Sequence, residues 1–125
     1  VVQKPEILAQ INAAFQKAVG DPNMQVTYGA PTVIYVSCKN EDEEIVKGCN
    51  AGVVMENMLL EAADLGLGAV YLFCVSQVLF ANEEITKLLQ IPEGFRTVSA
   101  IAVGTSADAL QERTLGTDKI STTTL

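Results

Sequence analysis

The sequence predicts one domain in which amphipathic helices alternate with short, buried β-strands. Apolar residues recur at helical spacing in two long segments, near residues 5–19 and 43–65. Short runs rich in β-branched and other apolar residues lie between and after these segments, as is typical of strands. The chain has 125 residues, 49% of them hydrophobic, which suffices for one core of ordinary size.

The first helix is predicted to begin at Pro5, since a proline in the first turn removes an N–H that would have no helical partner. Four apolar side chains then follow at helical spacing: Leu8, Ile11, Phe15 and Val19. The turn-rich residues 20–23 end the helix. The pattern therefore predicts a helix that packs along one side.

Three strands are predicted, over residues 32–38, 69–75 and 97–103. The first is nearly continuous in apolar character, which is typical of a strand buried on both faces. Gly66 and Gly68 allow a sharp reversal from the preceding helix into the second strand. A sheet with helices between its strands is therefore expected.

The longest predicted helix covers residues 43–65. Projected at about 100° per residue, its polar side chains collect on one narrow stripe: Glu43, Lys47, Asn50, Asn57, Glu61 and Asp64. Apolar side chains cover most of the remaining circumference: Ile45, Cys49, Val53, Met55, Leu59, Leu60 and Ala63. One sheet of a small domain cannot hide so much apolar helix surface, so part of it is expected to face a second subunit. The sequence therefore predicts a homodimer.

Glu56 lies among the apolar side chains of this helix and not on its polar stripe. Its projected neighbours are Cys49, Leu60 and Ala63. A carboxylate in such surroundings needs hydrogen-bond partners. Two interpretations stay open: a functional acid, or a group that hydrogen-bonds between helices or lies at a rim.

A short helix and a polar tail complete the predicted elements. Asn82 is expected to cap a helix over residues 83–89, because its side chain can accept hydrogen bonds from the first turn. Acidic residues in that turn suit the positive end of the helix. The tail, residues 106–125, is polar and is expected to form an extended C-terminal arm.

Composition and charge argue against several classes of function. Eight basic and fifteen acidic side chains give a net charge of -7, which repels a phosphate backbone and disfavours nucleic-acid binding. Acidic residues interrupt the apolar runs well before the ~20 residues of a membrane-spanning helix, so no membrane partner is predicted. Cys38, Cys49 and Cys74 show no CxxC spacing. With no signal peptide apparent, reduced thiols and a cytoplasmic location are expected.

No catalytic constellation is found among the residues. The chain has no histidine, which excludes Ser–His and Cys–His nucleophile pairs within it and argues against a zinc site. Glycine motifs such as GxGxxG and Walker A are missing from the sequence as well. No catalytic or metal-binding side chain is therefore predicted, and any chemistry has to come from a bound cofactor.

The order of motifs from Gly29 to Gly104 resembles the FMN-dependent nitroreductase family. The motifs are the strand after Ala30-Pro31, the helix segment Met55-Glu56-Asn57-Met58-Leu59-Leu60-Glu61-Ala62-Ala63, the stop Leu65-Gly66-Leu67-Gly68 and the turn Ile91-Pro92-Glu93-Gly94. The resemblance implies an α+β fold, a nitroreductase-like three-layer α/β/α sandwich with a mixed central sheet, and an intertwined homodimer with FMN at the subunit interface. It also implies an NAD(P)H oxidoreductase that reduces nitroaromatics, quinones or related acceptors by a ping-pong mechanism.

The same resemblance implies which residues hold the flavin. Leu72, Phe73, Cys74 and Val75 match the strand end whose backbone amides approach the flavin ring, where such donors stabilise the electron-rich reduced form. Cys74 stands where glycine is common in the family. Arg113 matches a basic position that reaches the FMN phosphate through charge-assisted hydrogen bonds. The alternatives are core or interface roles for Phe73 and Cys74, and an exposed arginine in a polar tail.

The amino end departs from the family pattern. Val1-Val2, followed by the helix at Pro5, looks like the tail of the family's second sheet strand. Residues 1–125 are therefore expected to be a single nitroreductase-like domain that is truncated at its N-terminus. The phosphate-binding motif that the family carries upstream would then be missing, and weak or absent FMN affinity is expected. The alternative function is a catalytically inert dimerisation or ligand-binding module that has lost FMN.

Overall fold

The computed structural model describes residues 1–73, 82–108, 112, 114, 116 and 120–125. The helices in these residues are α1 (Pro5–Val19), α2 (Glu44–Asp64) and α3 (Glu83–Leu88), and the strands are β1 (Thr32–Lys39), β2 (Gly68–Tyr71) and β3 (Phe95–Gly104). Each lies where the sequence predicts it, and β2 ends earlier than expected. Residues 74 and 75, the predicted end of that strand, lie outside the described residues.

Local chemistry explains where the helices begin and end. Gly20 closes α1 in the left-handed conformation, with φ 74°, and its N–H donates to the carbonyl of Gln16. The predicted cap of α3 is confirmed, because the Asn82 Oδ1 accepts hydrogen bonds from the backbone N–H groups of Glu84 and Ile85 at 3.0 and 3.3 Å. These two caps fix where α1 ends and where α3 begins.

The sheet has the strand order β1-β3-β2, so β3 lies in the centre. Both of these pairings are antiparallel. Ala102 of β3 lies between Val33 of β1 and Val70 of β2. On the outer edge of β1, the backbone of Val2 exchanges two hydrogen bonds with Val33, at 2.8 and 2.9 Å. The amino-terminal segment therefore extends the sheet by one short bridge.

Helices cover both faces of this sheet. One face packs against α1 and α3 in a single apolar cluster: Ile11, Phe15, Val26, Val33, Leu72, Ile85, Ala100 and Ala102. Ile101 is fully buried but lies outside that cluster. Because side chains alternate along a strand, Ile101 points to the opposite face, where α2 contacts β2 and β3. The expected three-layer α/β/α arrangement is therefore confirmed.

A β-bulge in β3 decides which face Arg96 occupies. Val36 lies opposite Ser99 and Ser37 lies opposite Thr97, so Val98 has no partner on β1. One extra residue reverses the alternation of side chains beyond it. Arg96 therefore points toward α2, where its guanidinium pairs with the Glu44 carboxylate.

Lys47 of α2 is buried, with 2% of its surface exposed. Its ammonium donates to the Asn40 carbonyl at 3.0 Å and pairs with the Glu44 carboxylate at 3.0 Å. The predicted polar stripe of α2 is therefore not exposed along its whole length, because Lys47 is buried. The aliphatic stem of a lysine can cover apolar surface when its ammonium has internal partners.

Glu44 is expected to make part of the stability depend on pH. Hydrogen bonds from Lys47, and then from Arg96, lower the pKa of the Glu44 carboxyl from its ordinary value of 4.5. A pKa that is lower in the folded chain means that ionised Glu44 stabilises the fold above about pH 4.5, and that this contribution is lost as the pH falls through the folded pKa. Glu44→Gln should therefore flatten the pH dependence of the free energy of unfolding below about pH 4.5, measured by urea unfolding.

Glu43→Gln is the matched control for this prediction, because it removes a neighbouring exposed carboxylate whose side chain does not cap α2. Its pH dependence should stay close to that of the unaltered chain. Equal flattening in the two variants would contradict the assignment to Glu44.

Ser99 is a second polar residue inside the layer between α2 and the sheet. It is fully buried, and its Oγ has no hydrogen-bond partner among the described residues. A buried hydroxyl without a partner costs about 1–3 kcal/mol. Ser99→Ala is therefore expected to raise the free energy of unfolding by about 1 kcal/mol, measured by urea unfolding.

The control for Ser99 is Thr97→Val, which removes a buried hydroxyl that has a partner. The Thr97 Oγ1 lies 3.4 Å from the Ser37 Oγ, so its loss should lower the free energy of unfolding or leave it unchanged. A Ser99→Ala variant that is destabilised as much as Thr97→Val would show that the Ser99 hydroxyl is hydrogen-bonded in solution.

Tyr35 carries another buried hydroxyl, on the face of the sheet that packs against α1. Its phenol oxygen has no hydrogen-bond partner in the described part of the chain. Burial raises the pKa of Tyr35 to about 12. The phenol is therefore neutral throughout the physiological pH range.

Candidate functional site

Leu72 fixes the position of the end of β2. Its N–H donates to the Ala100 carbonyl at 2.8 Å, and its side chain belongs to the apolar cluster beneath α1. The amide of Leu72 is therefore used within the sheet. Leu72 therefore does not offer its amide to a ligand. It fixes the register of the strand that leads to this end of the sheet.

Phe73 lies at the surface directly after this anchor, with 55% of its surface exposed. Its ring meets the ring of Tyr71 edge to face, with 5.9 Å between centroids and an interplanar angle of 67°. Tyr71 points to the face of the sheet that α2 covers, because it pairs with Ile101. Phe73 lies two residues further on, beyond the end of β2.

The turn between α2 and β2 is tight, since the N–H of Leu67 donates to the Ala62 carbonyl at 2.8 Å. The strand that follows, Gly68–Tyr71, contacts α2.

Only a narrow side of α2 is buried, by Lys47, Ala51, Met55 and Ala62. The opposite side is apolar and exposed, and we call it the outer α2 surface: Ile45, Cys49, Gly52, Val53, Leu60 and Ala63. Val53 is 64% exposed and Leu60 is 60% exposed. A contiguous apolar surface of this kind commonly marks an interaction site. The wide burial predicted for this helix is therefore not reached within one chain. A second subunit would have to cover the outer α2 surface.

Glu56 lies within the outer α2 surface and is exposed. Its projected neighbours Cys49, Leu60 and Ala63 are exposed too. Its carboxylate is therefore in contact with water in a single chain. The single chain therefore supports neither a functional acid nor a hydrogen bond between helices at Glu56. Either role would need another molecule to cover this surface.

Other predicted ligand residues, Cys74, Val75 and Arg113, lie outside the described residues. No helix in the described ranges is long and apolar enough to cross a membrane. Within the same part of the chain, His, Cys, Asp and Glu side chains do not gather into a group of three or more that could hold a metal ion.

Tyr71 and Phe73 present an aromatic pair at the strand end, and an aromatic pair is a surface on which a flat aromatic ring can stack. The basic residue expected to meet the phosphate, Arg113, lies outside the described residues. The chemistry of the described aromatic pair is compatible with the ring of a flavin.

The described residues form an α+β domain whose antiparallel sheet has helices on both faces, with an aromatic pair where β2 ends. Residues 3–105 match the family model described as the Nitroreductase family. The chain therefore belongs to the nitroreductase family, as its motifs predicted. A search of curated proteins finds no match.

Solved structures with the same fold include nitroreductases from three bacteria. A nitroreductase with bound FMN from Bacteroides fragilis has a TM-score of 0.79 and 21% identity, over 98% of this chain and 73% of that one. Another with bound FMN, from Desulfitobacterium hafniense, has a TM-score of 0.80 and 19% identity, over 98% and 72%. An FMN-dependent nitroreductase from Clostridium difficile has a TM-score of 0.69 and 20% identity, over 98% and 76%. These similarities confirm the predicted nitroreductase-like α+β fold.

Proposed function

We propose that the chain is an FMN-dependent oxidoreductase that uses NAD(P)H to reduce nitroaromatics, quinones or related acceptors by a ping-pong mechanism. Its membership of the nitroreductase family supports a flavin oxidoreductase, and structures of the same fold have been solved with bound FMN. The observation that carries the proposal is the end of β2. There the hydrogen bond from the Leu72 N–H to the Ala100 carbonyl holds the strand end, and Phe73, the next residue, is at the surface.

Each predicted site residue has a distinct part in this proposal. Leu72 holds the strand end in register, because its N–H and side chain are both used inside the protein. The backbone amides of Phe73, Cys74 and Val75 are proposed to face the ring edge, and Arg113 to bind the phosphate. A bound flavin supplies hydride transfer, and the protein supplies position, exclusion of water and hydrogen bonds.

We also propose that two copies pair through the outer α2 surface. Val53 and Leu60 expose apolar area there. Among the described residues, nothing lies within 4 Å of a Cβ built on Gly52, so another helix can approach closely. Pairing would remove this apolar surface from water. Glu56 would then lie at the seam and would need a hydrogen-bond partner from the second copy.

Two further parts of the proposal concern the tail and the location. Residues 106–125 are proposed to act as an extended arm, and the protein is proposed to work in the cytoplasm as one nitroreductase-like domain. Cys38 and Cys49 are both free thiols, and Cys49 is exposed, which suits a reducing compartment.

The proposed reaction is tested by NADH and NADPH oxidation with added FMN and a quinone acceptor. We expect oxidation that depends on protein, flavin and acceptor together, with the parallel-line kinetics of a ping-pong reaction. Saturable flavin binding without any oxidation would contradict the proposed reaction. A chain that shows no flavin binding and no oxidation would contradict the proposed function and favour the inert module that has lost FMN.

A further inference from the structure

We propose that the pairing of two chains through the outer α2 surface takes up protons, because Glu56 lies within that surface. The inference rests on the proposed function and deepens it, since it names what regulates the pairing. From Ile45 to Ala63 the surface runs for about 27 Å along the helix, and a second copy presents an equally long apolar surface. Two chains that pair in this way associate more tightly as the pH falls.

Glu56 has small and apolar neighbours on its own helix face. Gly52 lies one turn before it and Leu60 one turn after it, because residues four apart share a face of a helix. Leu60 is 60% exposed, and no described atom lies within 4 Å of a Cβ built on Gly52. A helix that covers this surface therefore comes close to the Glu56 carboxylate and displaces water from it.

The outer α2 surface of a second copy brings no cation to this carboxylate. In a twofold pair the same surface belongs to both chains, so the groups opposite Glu56 come from that surface itself. Its titratable side chains are Glu56 and Cys49. Lys47 is the only basic residue in the sequence of α2. It is buried on the opposite side of the helix, which packs on β2 and β3, and it is paired there with Glu44.

Hydrogen-bond donors for Glu56 are missing from the same surface. Backbone N–H groups inside a helix are used by its own carbonyls. The nearest amide side chain, Asn57, is the next residue, so it is turned by about 100° toward the polar stripe. The other carboxylates of that stripe, on Glu43, Glu61 and Asp64, cannot neutralise Glu56. A carboxylate that loses its water there is therefore stabilised by binding a proton, which makes it neutral and gives it a donor of its own.

Sedimentation equilibrium of the unaltered chain between about pH 7.5 and about pH 6 tests the inference. One proton taken up per dimer lowers the dissociation constant by about tenfold per pH unit, and two protons lower it by about 100-fold. We expect a fall of at least about tenfold over this range. Glu44 stays ionised throughout, since its pKa is lowered from 4.5. About 0.5 M salt screens the general repulsion between acidic chains.

Glu56→Gln keeps the size of the side chain and removes its charge. We expect this variant to pair at least about tenfold more tightly than the unaltered chain at about pH 7.5, with a dissociation constant that does not change with pH. Glu61→Gln is the matched control, because it removes an exposed carboxylate from the polar stripe of the same helix. It should keep the pH dependence of the unaltered chain. Thermal unfolding reports whether each variant is folded.

The outcomes separate the proton linkage from the pairing itself. A dimer whose dissociation constant does not change with pH would overturn the linkage and leave the pairing standing, and so would equal loss of the pH dependence in Glu56→Gln and Glu61→Gln. A dimer that weakens as the pH falls would also overturn the linkage, because it would indicate a cation opposite Glu56. If the unaltered chain and Glu56→Gln both stay monomeric over the whole range, the pairing and its linkage are both contradicted.

Discussion

Replacing Val53 with aspartate is expected to convert a dimer into a monomer. Val53 is 64% exposed in a single chain, so the folded chain should tolerate the carboxylate. At a helix-to-helix interface the same carboxylate would lose its water without gaining a partner. We expect the dimer dissociation constant to rise by about 100-fold or more, measured by sedimentation equilibrium.

Asn50→Asp is the control, because it introduces the same charge on the polar stripe of the same helix, away from the outer α2 surface. The dimer should survive this change. If both variants dissociate alike, long-range repulsion between acidic chains would explain the result. An unaltered chain that is monomeric at every concentration would contradict pairing outright.

Replacing Lys47 with alanine is expected to cost about 3 kcal/mol of unfolding free energy. The change removes a buried aliphatic stem and the ammonium that donates to Asn40. It also takes away one partner of Glu44. Lys47→Met keeps most of the stem and should cost only about 1–2 kcal/mol. Urea unfolding of both variants measures the difference.

Lys87→Ala is the matched control for Lys47. Lys87 pairs with Glu83 at 3.9 Å, but both side chains are mostly exposed. Such a surface pair contributes about 0–1 kcal/mol. Similar losses from Lys47→Ala and Lys87→Ala would mean that Lys47 is solvated in solution and that the packing of α2 on the sheet differs from this account.

The elements of the fold could be predicted because local patterns decide them. Pro5, Gly20 and Asn82 mark helix ends through backbone chemistry that needs no distant partner. Apolar runs gave the strands within a few residues. The strand order β1-β3-β2 was not readable in this way, because pairing depends on contacts between residues far apart in the chain.

Lys47 and Arg96 show where reasoning from periodicity fails. A helical projection assigns lysine to the solvent side, and it contains no information on the Asn40 carbonyl that accepts the ammonium. Arg96 faces α2 only because of the bulge at Val98. No residue type in this strand predicts that bulge. The side of the sheet that Arg96 occupies can therefore be assigned only once the register is known.

The candidate site was predicted in part. The family resemblance pointed to residues 72–75 and Arg113, and the described strand end places Phe73 at the surface. Periodicity alone could not separate Leu72 from Phe73, since both read as apolar strand residues. The distinction comes from the antiparallel pairing, which turns Leu72 into the core and uses its amide.

The central claim is that a pair of chains holds a flavin at the end of β2. Sedimentation velocity with added FMN, followed at the flavin absorbance, tests it most directly. Because the FMN affinity of residues 1–125 is expected to be weak, the experiment uses saturating FMN, and the account then predicts that flavin sediments with a dimer, up to one flavin per chain. A dimer that sediments without flavin at saturating FMN, or flavin that sediments with a monomer, would contradict it.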